Sequence, residues 1–134
     1  MFKLIKIENS GVNVPEPITV NKEIGITFPI GTAITISGGL ASGCDVSEKP
    51  THITYNEAPE DAEELLCYRI TSDMLFEVPL AEGPEIDLHI GDKLMLATDD
   101  DDNVIALSPT YGGPAEIADT PTATVAGDKI TVRF

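Results

Sequence analysis

The apolar residues of this chain come in short alternating runs, and Gly, Pro, Asn or Asp interrupts each run before it grows longer than a strand. Thr32-Ala33-Ile34-Thr35-Ile36, which leads into Gly38-Gly39, and Lys129-Ile130-Thr131-Val132-Arg133-Phe134 are the clearest cases. A period of two puts successive side chains on opposite faces, the pattern of a half-buried strand. Many short strands with frequent turns predict an all-β chain, here a small, partly open β-barrel with one short helical element.

Further strands are expected at Phe2 to Glu8, Ile24 to Phe28, Thr51 to Tyr55, Leu65 to Thr71 and Met74 to Leu80. Asn9-Ser10-Gly11 reads as a turn, and Val12 to Pro17 as an edge or extended segment because Pro15 and Pro17 cannot donate to a ladder. Asn56 to Glu64 is the helical candidate. Pro59 suits a first helical turn, and Glu60, Asp61, Glu63 and Glu64 complement the positive end of a helix dipole. Ser42 to Pro50 reads as a polar connection. Leu94 to Ala97 and Val104 to Leu107 flank Asp99-Asp100-Asp101-Asp102-Asn103 as a hairpin. Ser108 to Thr122 is rich in Pro, Gly and small residues and predicts a long loop with one short strand at Ala115 to Ile117. The chain is expected to form a single β domain over residues 1–134, with an N-terminal strand and extended segment over 1–29 and a barrel body over 30–134.

One internal echo is visible. Ile90-Gly91-Asp92-Lys93-Leu94 resembles Ala126-Gly127-Asp128-Lys129-Ile130. Gly can take positive φ and Asp can bond its own backbone, so each unit is expected to launch a strand from a turn.

The chain has 134 residues, of which 42% are hydrophobic, enough for a real core. With no Trp, four Phe and three Tyr, that core must be largely aliphatic. Eight basic residues against 23 acidic ones leave a formal charge of −15. Such a surface is soluble and repels phosphate backbones and anionic membranes, so neither nucleic acid nor membrane is expected as a partner. No apolar run approaches the roughly 20 residues that span a bilayer. The first residues carry Lys3 and Lys6 but no continuous apolar stretch, which predicts a cytoplasmic product.

No catalytic, cofactor-binding or metal-binding residues are assigned. Cys44 and Cys67 lack the CxxC spacing of metal and redox sites, and Cys67 lies in an apolar strand where a thiol serves as filler. His52 and His89, the only imidazoles, have no HxH or HExxH partner. Asp99, Asp101 and Asn103 have the alternate spacing that opens many calcium loops. The sixth position is Val104 instead of Gly, and the twelfth is Thr110 instead of Glu, so a solvated hairpin tip is the expected role. Walker, GxSxG and GxGxxG patterns are absent, and Gly38-Gly39 and Gly112-Gly113 read as turn glycines.

The segments Met74-Leu75-Phe76-Glu77-Val78-Pro79, Ile90-Gly91-Asp92-Lys93-Leu94-Met95-Leu96 and Asn103-Val104-Ile105-Ala106-Leu107 carry a family resemblance. Together they resemble the small β-barrel proteins that decorate or cement the heads of tailed phages and prophages. The resemblance covers residues 30 to 134 in layout. It implies a non-enzymatic virion protein whose partner is the phage major capsid protein, acting as a symmetric homo-oligomer such as a trimer. The terminal strands Phe2 to Ile7 and Lys129 to Phe134, with Lys3, Lys6, Lys129 and Arg133, are expected at edges, where these cations either protect the edge from uncontrolled pairing or meet acidic surface on a neighbouring subunit. The alternative is a small β-barrel module that binds a ligand or peptide.

Overall fold

The computed structural model describes residues 1–8 and 15–134, and among them every regular element is a strand. In chain order these are β1 (Lys3–Ile7), β2 (Ile18–Asn21), β3 (Ala33–Ser37), β4 (Leu40–Gly43), β5 (His52–Thr54), β6 (Glu64–Arg69), β7 (Met74–Pro79), β8 (Lys93–Thr98), β9 (Val104–Tyr111), β10 (Ala115–Ile117) and β11 (Lys129–Arg133). The all-β expectation holds. The helical element at Asn56 to Glu64 does not form: Ala58 pairs with Phe28 in an isolated bridge, and Ala62 N donates to Pro59 O in a turn. The segment's backbone is claimed by a distant one instead, with Gly25 N donating to Glu60 O and Lys22 N to Glu63 O. A helix this short has too little favourable propagation to compete with such bonds.

Two other expectations shift. Ile24 to Phe28 is no strand, because Gly25 turns the chain at φ +99° and only Phe28 reaches a bridge. The polar connection after Gly39 begins with a real strand, β4, hairpinned to β3 across Gly38-Gly39. The turn at Asn9-Ser10-Gly11 and the first half of Val12 to Pro17 lie outside the described residues.

The strands make two sheets with one wiring diagram. In the first, hydrogen-bonded neighbours run β4, β3, β5, β6, β2; in the second they run β9, β8, β10, β11, β7, with β1 added outside β7. All of these pairings are antiparallel. Each sheet then curls until its end strands touch through one parallel bridge, Asn21 to Leu40 in the first and Leu80 to Leu107 in the second.

The registers agree residue by residue. Val20 faces Leu65 and Asn21 faces Glu64, as Val78 faces Ile130 and Pro79 faces Lys129. Ile34 faces His52 as Leu94 faces Ala115. These pairings make Gly31 the counterpart of Gly91, and the backbone bonds follow. Gly31 N donates to Thr54 O at 3.0 Å and Gly91 N to Ile117 O at 2.9 Å; Thr54 N reaches Thr32 O at 3.0 Å and Ile117 N reaches Asp92 O at 2.9 Å. Lys22 N to Glu63 O matches Leu80 N to Asp128 O, both 2.9 Å. The chain thus contains the same five-strand unit twice, once over β2–β6 and once over β7–β11.

Strand alternation explains how the units join. Within the first, Phe28, Ile34, Ala41, Ala58, Leu65 and Cys67 form a small inner core. Ala33 and Ile53 point to the opposite face and are buried in the second unit's larger core with Phe76, Val78, Leu94 and Ile130. β3 is therefore buried on both faces at Ala33-Ile34, each at 0% exposure. Each fully buried Leu, Ile or Phe here contributes about 1.5–3 kcal/mol relative to exposure, so the shared face welds the units.

Candidate functional site

Two surface clefts stand out, both assembled from residues far apart in sequence. The first, of about 400 Å³, lies where the units meet and is lined by Met1, Ile5, Ile30, Tyr55 and Tyr68 among others. Gly31 sets its geometry. At φ +71° it turns the chain into β3, and its carbonyl accepts from Phe2 N at 2.8 Å. A Cβ there would sit 2.6 Å from Met1 Cβ and 2.9 Å from Phe2 O, so only glycine lets the N-terminal segment lie this close. Past Leu4 the pairing of β1 with β7 shifts register and bulges at Ile5. Met1, Ile5, Ile30 and Tyr55 are 43–48% exposed, an unusual gathering of large apolar groups on so acidic a chain. Tyr55 and Tyr68 stack edge to face, 5.1 Å between ring centroids. Among the described residues the outer edge of β1 is unpaired.

The second cleft, of about 410 Å³, is the open end of the first unit, lined by Ile18, Ile36, Lys49, His52, Arg69 and Ile70 among others. Its counterpart in the second unit is closed. Register places Phe76 where the first unit has Ile18, Leu96 for Ile36, Ala115 for His52 and Phe134 for Arg69. Phe76, Leu96 and Ala115 are buried, and Phe2 packs on this end, its ring 6.5 Å from Phe76 and 5.8 Å from Phe134. The N-terminal segment plugs one unit, and among the described residues nothing fills the other's mouth.

The titratable groups singled out in the sequence do not come together. Burial pushes the Cys44 thiol up to about 12, with Glu48 and Asp45 adding to it, and burial pushes Cys67 up to about 11. Both stay protonated at neutral pH, which deprives them of nucleophilic character. Cys44 Sγ donates to the carbonyls of Asp45 and Glu48. His52 is held below its usual range by burial and then by Arg69, its cross-strand neighbour. His89 lies 3.7 Å from Asp92 at the exposed start of β8. Asp99 spends its carboxylate on its own hairpin tip: Oδ1 accepts from Asp101 N and Asn103 N, both at 2.9 Å, and Oδ2 from Asn103 Nδ2 at 3.4 Å. Among the described residues no three His, Cys, Asp or Glu side chains converge on a possible metal position, and no helix is long and apolar enough to cross a membrane.

The two Gly-Asp units share their local geometry. Asp92 Oδ2 accepts from His89 N at 2.8 Å while Asp92 N donates to His89 O. Asp128 Oδ2 accepts from Val125 N at 3.2 Å while Asp128 N donates to Val125 O. Each launches a strand, β8 and β11. Of the two basic terminal strands, β1 lies at a sheet edge as expected and β11 does not. β11 is flanked by β7 and β10 and is no edge strand. Lys129 lies 3.4 Å from Glu77 and Arg133 lies 3.7 Å from Glu8, so both cations already meet acids of their own chain.

Compared with known proteins, the chain matches no protein-family model and no curated relative.

Proposed function

We propose that this chain is a non-enzymatic assembly protein built from two small, partly open β-barrels, and that it acts as a head-decoration protein of a tailed phage or prophage. The observation that carries the assembly reading is the junction cleft. It offers exposed Met1, Ile5, Ile30 and Tyr55 beside a strand edge that is unpaired among the described residues. Apolar surface next to a free edge is costly to leave in water and suits a partner surface. The protonated thiols and the scattered imidazoles favour binding over catalysis. The virion assignment rests on the resemblance of the Phe76, Gly91 and Val104 segments to head-decoration proteins. Residence in the host cytoplasm, and then on the head, goes with it.

Self-association tests the reading in solution. A symmetric homo-oligomer, a trimer for instance, would cover each subunit's cleft with a different surface of its neighbour. Sedimentation velocity at micromolar concentration is expected to show a defined oligomer that Ile5→Asp dissociates. A strict monomer in both low and high salt removes the free oligomer and leaves assembly on the head lattice as the remaining form of the proposal.

A further inference from the structure

The internal repeat gives a template for the open mouth of the first unit. In the second unit the equivalent mouth is occupied by Phe2, 2% exposed, whose ring packs on Phe76 and Phe134 while the following residues run along β7 as β1. In the first unit the counterparts of Phe76 and Phe134 are Ile18 and Arg69, and they line a cleft of about 410 Å³. Ile18 is 43% exposed, although its register counterpart Phe76 is fully buried. Among the described residues the outer side of β2 meets only Leu40, at Asn21, where β7 carries the whole of β1.

We propose that this mouth is a second binding site, distinct from the junction cleft, for a short extended peptide segment that carries an aromatic anchor beside acidic residues. The anchor is set by the repeat: the matching position in the second unit holds a phenylalanine ring. The acidic character is set by charge. Lys49 and Arg69 line the cleft, two of only eight basic residues in a chain of net charge −15, and among the described residues neither forms an ion pair with a carboxylate. An aromatic ring lying between Ile18 and Arg69 would gain both apolar contact and a cation–π interaction with the guanidinium. Backbone pairing can add to this only over Ile18 to Val20, since Pro17 has no N–H to donate. The occupant is therefore held chiefly by its side chains, over a short stretch. This inference stands whether or not the chain decorates a phage head.

The test uses the intact protein and a fluorescein-labelled synthetic peptide, the first seven residues of the chain with Lys3→Glu and Lys6→Glu. Saturable binding is expected by anisotropy, with amide shifts centred on Ile18, His52 and Arg69 in the protein's NMR spectrum. Arg69→Glu and Lys49→Glu, both at exposed positions, should each weaken binding by about tenfold, the scale of one charge-assisted contact. The same peptide with its two lysines kept should bind more weakly than the acidic one. Absence of saturation at millimolar peptide overturns the proposal. So does binding that neither charge reversal changes, and so do shifts centred on Phe76 and Phe134 or on the cleft at Tyr55.

Discussion

Removing the Phe2 ring probes the joint on which the whole arrangement depends. Phe2 is 2% exposed and touches the rings of Phe76 and Phe134 at centroid distances of 6.5 and 5.8 Å. Phe2→Ala empties the mouth of the second unit, where Phe76 is fixed in the ladder of β7 and Phe134 directly follows β11, so the site can collapse only in part. Truncations of this kind cost about 3–5 kcal/mol. The total stability expected for a chain of this length is about 7–20 kcal/mol, so the loss is a large share. Urea unfolding should show a lower midpoint with an unchanged slope, and the Tm should fall by about 10 °C or more. Ile5→Ala, at 45% exposure in the adjoining β1, serves as the control and should change stability by less than about 0.5 kcal/mol. A Phe2→Ala loss no greater than that of Ile5→Ala would refute the plug and, with it, the template used for the open mouth.

Three further outcomes are expected. Gly31→Ala forces a side chain into a positive φ and against Met1 and Phe2, so it should cost about 1–3 kcal/mol and raise amide exchange at Phe2. Cys44 and Cys67 should resist iodoacetamide at pH 8 in the native protein and react only on unfolding, because burial holds both thiols far above that pH. Asp128 is held below the usual carboxylate range by bonds from Thr124 N and Val125 N. Its stabilisation is therefore complete above about pH 4 and is lost as pH falls through the lowered value. Asp128→Ala should lose stability at neutral pH and show a flatter acid limb; an unchanged limb would argue against those bonds.

The strands were legible where alternation was strong, as in Ala33 to Ser37 and Lys129 to Arg133, because period two is a local property. The acidic run at Asn56 to Glu64 misled. Its composition suits the first turn of a helix, yet the bonds to Lys22 and Gly25 that decide its shape come from about 40 residues away. The repeat was hidden for a related reason. Equivalent positions share little beyond Val20 with Val78 and Ile30-Gly31 with Ile90-Gly91, because the inner face of a curled sheet asks only for apolar volume. The visible echo between Gly91-Asp92 and Gly127-Asp128 records shared turn chemistry, whereas the architectural partner of Gly91 is Gly31. Neither cleft could be foreseen, since Ile18, Lys49 and Arg69, like Met1 and Tyr55, are brought together only by the sheets.

The most direct test of the proposed role is binding to heads. Expanded empty heads assembled from tailed-phage major capsid protein, ideally one encoded beside this chain, are sedimented with the purified protein. Saturable co-sedimentation at a fixed ratio to capsomers is expected, together with a raised melting temperature of the heads, and Ile5→Asp in the junction cleft should abolish both. Heads that pellet without the chain at saturating concentration, or that bind the wild type and Ile5→Asp alike, would contradict the proposal that this cleft is the assembly surface.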